Sequence, residues 1–221
     1  MIDIRKLTKT YTRSQQQVHA LYDVSIKIEA GSFAAVTGPS GSGKTTLLLS
    51  LGGLIQPSKG AVNFNGQNLY SLSPSQLASF RNRTIGFVLQ TFNLVPYLTA
   101  VENVMLPMLP LGGNGADLKK QAVNLLDRLG LSDRKDFFPR ELSIGQQQRV
   151  AIARALANEP DVILADEPTG NLDPALAEEI LDVLEDLNKN RSKTVILVTH
   201  SPQASARAGI VLKLREGMLV S

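Results

Sequence analysis

Short apolar runs alternate with longer stretches of helical periodicity along the chain. Residues 24–28 alternate between apolar and polar positions, as a strand with one buried face does. Four further runs are continuously apolar, which is typical of strands buried on both faces of a parallel sheet. These runs are residues 33–37, 85–89, 162–165 and 195–199. The pattern therefore predicts a sheet whose central strands are covered on both sides.

The segment between the last two apolar runs predicts a helix. Asp173 followed by Pro174 is a start signal, because an acidic side chain caps the first turn and proline suits the first helical position. Apolar residues then recur at helical spacing, at Leu176, Ile180, Val183, Leu184 and Leu187. A strand, a helix and a strand in this order indicate a βαβ unit, and therefore a fold of the α/β class.

The middle of the chain has a different pattern. In residues 92–160, prolines at 96, 107 and 110 and a glycine-rich run at 112–115 interrupt the pattern, and helical patterns cover 117–129 and 146–157. We predict an inserted helical subdomain here. Residues 210–220 predict a terminal hairpin.

Composition narrows the possible chemistry. Of 221 residues, 43% are apolar and 19% are charged, as in an average globular protein. The absence of cysteine excludes disulfides, cysteine-ligated zinc, iron–sulfur clusters and a cysteine nucleophile, so metal chemistry must use oxygen or histidine ligands. The net charge of +3 is too small to indicate a nucleic-acid partner. Residues 1–9 carry four charges, and the longest apolar stretch, 47–55, is too short to span a bilayer, so we expect neither a secretory signal nor a membrane span.

A glycine-rich motif follows the buried run 33–37. The sequence GPSGSGKTT at 38–46 matches the phosphate-loop pattern G-x-x-x-x-G-K-[ST]. Glycines let backbone N–H groups point inwards around a phosphate, and the helix that begins there adds the positive end of its dipole. Lys44 can bridge the β- and γ-phosphates, and the Thr45 hydroxyl can ligate Mg²⁺. The expected contacts come from Gly38, Ser40, Gly41, Ser42, Gly43, Lys44, Thr45 and Thr46.

Two acidic residues end the buried run 162–165. Asp166 and Glu167 stand at the carboxyl end of a predicted parallel strand, which is where ligands bind in open α/β sheets. A carboxylate at Asp166 can hold the water shell of Mg²⁺, and Glu167 can polarise a water for attack on a γ-phosphate. The alternative is a strand that simply ends in solvated acids, but the phosphate loop favours the functional interpretation.

A third motif precedes the helical pattern at 146–157. It reads LSIGQQQR at 142–149 and resembles the L-S-G-G-Q signature of the ATP-binding-cassette (ABC) ATPases. The resemblance covers nearly the whole chain. Gln90 is similar to the family's Q-loop glutamine, 171–173 to its D-loop and His200 to its switch histidine. Tyr11 stands where the family places a ring that stacks on adenine, although an aromatic residue at a strand edge often only packs.

This resemblance implies a fold, a cofactor and an assembly. The fold is a P-loop NTPase cassette with a RecA-like core, an antiparallel β subdomain and an inserted α-helical subdomain. All 221 residues would form one ATPase domain, with 1–91 and 160–221 as the core and about 92–159 as the helical part. The cofactors would be ATP and Mg²⁺. Two copies would pair as a symmetric dimer, with each ATP between the phosphate loop of one copy and the signature of the other.

The resemblance also implies roles for individual residues. Catalysis would involve Glu167 as the base, with His200, Lys44 and Gln90 around the phosphate. Mg²⁺ would be held by Thr45, Gln90 and Asp166, and further ATP contacts would come from Tyr11, Ser143, Gly145, Gln146 and Asp173. Position 144 departs from the family, because it is isoleucine where the first signature glycine is usual. We expect an active site nevertheless, since Ser143 and Gly145 are retained.

Other P-loop classes fit less well. A GTPase needs N-K-x-D, and the nearest match, at 188–191, lacks the aspartate. A DNA-repair ABC ATPase carries a long insertion, and a translation-factor type carries two cassettes, so we expect no nucleic-acid partner.

Three segments point to one branch of the family. Residues 85–96, 98–104 and 166–173 resemble the cassettes of macrolide export (MacB), lipoprotein release (Lol) and cell division (FtsE). The implied partners are membrane permease subunits with four helices that transmit motion across the membrane, and 92–111 would help to receive their coupling helix. The chain would then lie peripherally on the cytoplasmic face of the inner membrane. The alternative function is a regulatory adaptor of the division type.

Overall fold

Two β-sheets form the framework of the protein. The computed structural model describes residues 1–13 and 16–220. The strands in this part of the chain are β1 (Ile2–Arg13), β2 (Gln16–Ile28), β3 (Phe33–Thr37), β4 (Lys59–Phe64), β5 (Gln67–Asn68), β6 (Ile85–Leu89), β7 (Val162–Asp166), β8 (Thr194–Val198), β9 (Ile210–Arg215) and β10 (Met218–Val220). The helices are α1 (Lys44–Leu51), α2 (Pro74–Thr84), α3 (Ala100–Met105), α4 (Gly115–Arg128), α5 (Ile144–Ala155), α6 (Pro174–Lys189) and α7 (Pro202–Ala206).

The larger sheet has the strand order β10-β9-β3-β8-β7-β6. Strands β9, β3, β8, β7 and β6 are parallel, and β10 pairs antiparallel with β9. Side chains alternate between the two faces: in β7, Ile163 and Ala165 join the core beside α5 and α6, whereas Val162 and Leu164 join the core around α1. This double burial explains the continuous apolar runs, and the parallel β7–β8 pair with α6 between them in sequence confirms the predicted βαβ unit.

The smaller sheet is antiparallel, in the order β2-β1-β4-β5. The long β1 and β2 strands pair from Ile2 opposite Ile28 to Arg13 opposite Gln16. Helix α1 contributes Leu47, Leu48 and Leu51, each 1% exposed, to an apolar core that contains side chains of both sheets. The core around α1 therefore connects the smaller sheet to the strands that end at the phosphate loop.

Between β6 and β7 the described chain forms helices and turns but no strand. Helices α3, α4 and α5 pack together, and the fully buried Asn103 side chain donates to the Val95, Leu98 and Thr99 carbonyls. Helix α5 begins two residues before the predicted 146. The boundaries 1–91, 92–159 and 160–221 themselves stay a prediction. No helix in the described ranges has the length and apolar character needed to cross a bilayer.

Candidate active site

The phosphate-loop motif joins the end of β3 to the start of α1. Gly38, Gly41 and Gly43 have φ values of 150°, 76° and 100°, in the region that favours glycine. A Cβ at Gly43 would lie 2.1 Å from the Ala20 carbonyl oxygen of β2, so that no larger residue fits there. Gly43 is the N-cap of α1, and no side chain caps this helix end. The first N–H groups of α1 are therefore available to an anion.

Lys44 lies across the loop that precedes it. Its ammonium donates to the Gly38 carbonyl at 2.9 Å and to the Pro39 carbonyl at 3.0 Å, and the residue is 9% exposed. These neutral carbonyls leave the positive charge without a carboxylate hydrogen-bond partner among the described residues. A phosphate oxygen in the loop would be a stronger acceptor than either carbonyl.

Asp166, at the end of β7, meets the start of α1. The Thr45 hydroxyl donates to Asp166 Oδ1 at 3.3 Å. Burial raises the pKa of the Asp166 carboxyl above its usual range; the Thr45 hydrogen bond opposes this rise, the Glu167 charge adds to it and the Lys44 charge opposes it. Two hard oxygen ligands thus meet where a cation would relieve the cost of burying a carboxylate, which is the type of ligand that Mg²⁺ prefers.

Glu167 and His200 come together from two adjacent strands. Glu167 follows β7 with φ 46°, its N–H donates to the Val198 carbonyl at 2.9 Å, and its Oε1 lies 2.7 Å from His200 Nδ1. The Glu167 side chain is 14% exposed, whereas that of His200 is 71% exposed. The carboxylate is thus nearly covered and held by a histidine that faces solvent. The sequence predicted both residues for the site, but it did not predict the contact between them.

Gln90 follows β6, next to the strand that carries the two acids. A Cβ at Gly170 would lie 3.2 Å from Gln90 Nε2, so the glutamine side chain packs against the loop after Glu167. The Asn171 side chain donates to the Gln90 carbonyl at 3.1 Å. Three strand ends, those of β6, β7 and β8, therefore deliver the candidate residues to one edge of the sheet, beside the phosphate loop at the end of β3.

The signature motif is arranged differently. The Ser143 hydroxyl caps α5 by accepting from the Gln146 N–H at 3.3 Å, and Gln146 Oε1 accepts from the Ser143 N–H at 3.0 Å. Gly145 is buried, and a Cβ there would lie 3.0 Å from the Leu176 side chain of α6. Ile144, by contrast, is 53% exposed. Within the described chain, no hydrogen bond joins these residues to the phosphate loop.

Within the described residues, two further predicted site residues make no hydrogen bond to the phosphate loop. The Asp173 carboxylate caps α6 by accepting from the Ala175 and Leu176 N–H groups at 3.0 and 3.1 Å, as the sequence predicted. Tyr11 lies on β1 opposite Val18, is 43% exposed, and has the Lys9 ammonium 5.0 Å from its ring centre. The ring is therefore accessible for stacking, although a cation covers part of it.

Sequence reasoning missed one buried contact behind the acids. Gln148 on α5 is fully buried, and its Nε2 donates to the Pro168 carbonyl at 2.6 Å. This contact connects the signature helix to the turn that follows Glu167. The available signal was its spacing, because Gln148 lies three residues after Gly145 and four before Ile152, on the apolar face of the helix.

Comparison with known proteins decides the family. The family model described as ABC transporter matches residues 21–170, more than half of the chain. The chain belongs to the ABC transporter ATP-binding family. It is thus an ATPase cassette. The resemblance to this family that the sequence motifs indicated is confirmed.

Two curated relatives match 99% and 100% of the chain. The macrolide export ATP-binding/permease protein MacB of Syntrophobacter fumaroxidans is 47% identical over 99% of this chain, which spans only 31% of that protein. The lipoprotein-releasing system ATP-binding protein LolD of Syntrophus aciditrophicus is 44% identical over 100% of this chain and 99% of its own length. The chain thus spans about a third of the one relative and nearly all of the other.

The solved structures confirm the fold. A dimeric post-hydrolysis state of the ATP-binding cassette MJ0796 bound to ADP and Pi has a TM-score of 0.94 and 40% identity, and it covers 100% of this chain and 97% of its own. A second dimeric structure of MJ0796 has the same TM-score, identity and coverage. The predicted P-loop cassette fold of the α/β class is therefore correct.

Proposed function

We propose that this chain binds MgATP at the phosphate loop and hydrolyses it as one half of a symmetric dimer. The observation that carries the proposal is the meeting of Lys44, Thr45, Asp166, Glu167 and His200 at one sheet edge, beside an uncapped helix N-terminus. A charged lysine, hard oxygen ligands and a held carboxylate are the groups that phosphoryl transfer to water needs.

The chain's own residues divide the work of the reaction. The N–H groups of 38–46 and the Lys44 ammonium would bind the β- and γ-phosphates. Thr45, Asp166 and Gln90 would hold Mg²⁺, which supplies positive charge to the phosphate oxygens. Glu167 would accept a proton from the attacking water. At the same time, the oxygen of that water would bond to the γ-phosphorus, and the bond from this phosphorus to the leaving ADP would break. The pair with His200 supports this role, because it holds the carboxylate in one orientation.

The signature would act on the ATP of a second copy. Its serine and the N–H groups at Gly145 and Gln146 would face the γ-phosphate held by the other chain. Ser143 and Ile144 are exposed and have no hydrogen bond to this chain's own phosphate loop, which supports a role across an interface. The MJ0796 cassettes, which are 40% identical, are dimers in their structures. Tyr11 would stack on adenine and Asp173 would contribute from the D-loop.

The partner would be a membrane permease of the macrolide-export or lipoprotein-releasing type. A cavity of about 480 Å³ between α2, β6 and α5 is lined by Leu54, Phe87, Leu106, Pro107 and Arg154 among others. Tyr97, on the 92–111 segment, is 76% exposed. The apolar part of this lining and the exposed Tyr97 ring support docking of a permease on the cytoplasmic face of the inner membrane. The relatives carry export and lipoprotein-release names, so the regulatory-adaptor hypothesis is not better supported.

The substitution Glu167→Gln tests the catalytic proposal. We expect ATP affinity to be retained while hydrolysis falls by about a hundredfold or more, because the amide cannot take the proton from water. In the presence of ATP, a stable dimer of the variant should then accumulate, as detected by size-exclusion chromatography with light scattering. Glu29→Gln removes the same charge at an exposed turn and should leave turnover unchanged. Wild-type turnover in Glu167→Gln would overturn the general-base role.

A further inference from the structure

The backbone after Gln90 turns through two residues in the left-handed region. Phe92 has φ 56° and Asn93 has φ 50°. This conformation is strained for an aromatic residue, whereas asparagine tolerates it better. Both carbonyls accept hydrogen bonds from one side chain: Arg154 Nη2 donates to Phe92 and Nη1 to Asn93, each at 2.6 Å. An arginine of α5 therefore holds the strained turn in place.

Within residues 1–13 and 16–220, the Arg154 guanidinium forms no ion pair with an acidic side chain. In the described part of the chain, the arginines that form ion pairs are Arg5, Arg134, Arg149, Arg191 and Arg207. Burial lowers the pKa of the Arg154 guanidinium. Its hydrogen-bond partners are two neutral backbone carbonyls, which carry no negative charge to balance it. A partly buried charge without a counterion is unusual. Its planar fork suits two successive carbonyls, and a lysine ammonium lacks this geometry.

The same short segment is bound from its other side. The Asn171 side chain donates to the Gln90 carbonyl, and Gly170 packs against the Gln90 side chain. Residues 90–93 thus lie between α5, whose first turn carries the signature, and the loop that follows Glu167. Arg154 therefore links α5 directly to this segment through two hydrogen bonds.

We propose that Arg154 is a positioning residue that couples the two ATP sites of the dimer. This inference rests on the proposed function, in which α5 presents Ser143 to the ATP of the second copy while Gln90 faces the ATP of its own chain. Arg154 joins the two, because one rigid fork connects α5 to the backbone two residues after Gln90. When α5 moves onto the partner's nucleotide, Gln90 moves with it.

The test compares Arg154→Met with a matched arginine of the same helix. Arg149 donates to the Leu129 carbonyl and pairs with Glu179, and it makes no contact with 90–93 among its hydrogen bonds. For Arg154→Met we expect kcat to fall about tenfold and the Hill coefficient for ATP to fall from about two towards one. The Kd for a non-hydrolysable ATP analogue should stay within about twofold. Arg149→Met should leave the Hill coefficient unchanged, and Arg154→Lys should recover part of kcat, because an ammonium can still donate to one carbonyl.

A second measurement does not depend on hydrolysis. Hydrogen–deuterium exchange of the backbone amides in 90–95 should increase in Arg154→Met but not in Arg149→Met. Equal exchange in both variants, or an unchanged Hill coefficient in Arg154→Met, would overturn the coupling role. A wild-type chain that neither hydrolyses ATP nor dimerises would instead overturn the proposed function, and the exchange data would still decide whether Arg154 holds the segment.

Discussion

The two helix N-termini at which ATP contacts are proposed differ in how their donors are occupied. Helix α1 begins after Gly43 with no side-chain cap, so no side chain in the described part of the chain occupies its first N–H groups. Helix α5 begins with a reciprocal pair, in which Ser143 and Gln146 satisfy each other. A capping pair of this kind stabilises a helix end by about 1 kcal/mol.

The difference shows which of the two helix ends is open to a ligand within one chain. The α1 end is preformed by glycine backbone geometry, so its N–H groups can take an anion without losing a side-chain cap. At the α5 end the Ser143 hydroxyl already accepts from the Gln146 N–H, so an outside ligand must compete with the cap for that donor. One chain thus carries a preformed helix end and a capped helix end. This difference suits a dimer in which the contact to the capped end forms only when a second copy is present.

The largest expected effect comes from breaking the preformed end. Gly43→Ala would place a Cβ 2.1 Å from the Ala20 carbonyl oxygen at φ 100°, so we expect a loss of about 3 kcal/mol in the free energy of unfolding. ATP affinity should fall by about a hundredfold, measured by calorimetry with a non-hydrolysable analogue. Gly41→Ala is the matched control, because its φ is 76° but no atom lies within 4 Å of the added Cβ; it should cost about 1 kcal/mol. Equal losses in both variants would contradict the steric argument.

A smaller effect tests the electrostatics at the same end. Burial raises the pKa of Asp166, so the folded state binds a proton more tightly than the unfolded state does. The ionised carboxylate therefore costs stability above the raised pKa, and this cost disappears as the pH falls below the ordinary value. Without nucleotide or metal, Asp166→Asn should raise the Tm at pH 7 by about 1–3 °C. The gain should shrink towards acid pH, as followed by thermal scans.

Asp136→Asn removes the same charge at an exposed position and should show no such pH-dependent gain. The Asp166→Asn variant should also lose the extra stabilisation that Mg²⁺ with ATP confers on the wild type. A Tm that falls at pH 7 would show that the Asp166 carboxylate stabilises the empty site.

The smallest effects should come from the capped end. Ile144 is exposed at the first position of α5, so Ile144→Gly should change ATPase turnover by less than about threefold and cost at most about 1 kcal/mol of helix stability. Gly145→Ala should cost more, because its Cβ would press on the Leu176 side chain at 3.0 Å. Steady-state ATPase assays and denaturant unfolding of both variants show which substitution has the larger effect on turnover and on stability. A large gain or loss in Ile144→Gly would mean that this position contacts the nucleotide.

Much of the site could be predicted because its motifs follow strands. The phosphate loop, Asp166-Glu167, Gln90 and His200 each end an apolar run, and parallel strands deliver their carboxyl ends to one edge. The 2.7 Å contact between Glu167 and His200 could not be predicted, since it depends on β7 and β8 being neighbours in register. The Arg154 contacts to Phe92 and Asn93 were equally invisible, because they join residues about sixty positions apart.

Position 144 shows the same difference between what the sequence predicts and what the tertiary structure decides. From the sequence, Ile144 and Gly145 were two positions of one motif, and only resemblance suggested that the second mattered more. In the structure, Gly145 is buried against Leu176 and Ile144 faces solvent. The burial of one and the exposure of the other give a physical reason for retaining only one glycine.

Local pattern alone was enough for the α/β class, the buried strands, the capped start of α6 and the phosphate-loop chemistry, because each depends on periodicity or on residues a few positions apart. Tertiary structure decided which carboxylate is buried, which histidine pairs with Glu167 and which side chain holds the turn after Gln90. Those features depend on contacts between segments far apart in the chain, and such contacts exist only once the sheet has brought its strand ends together.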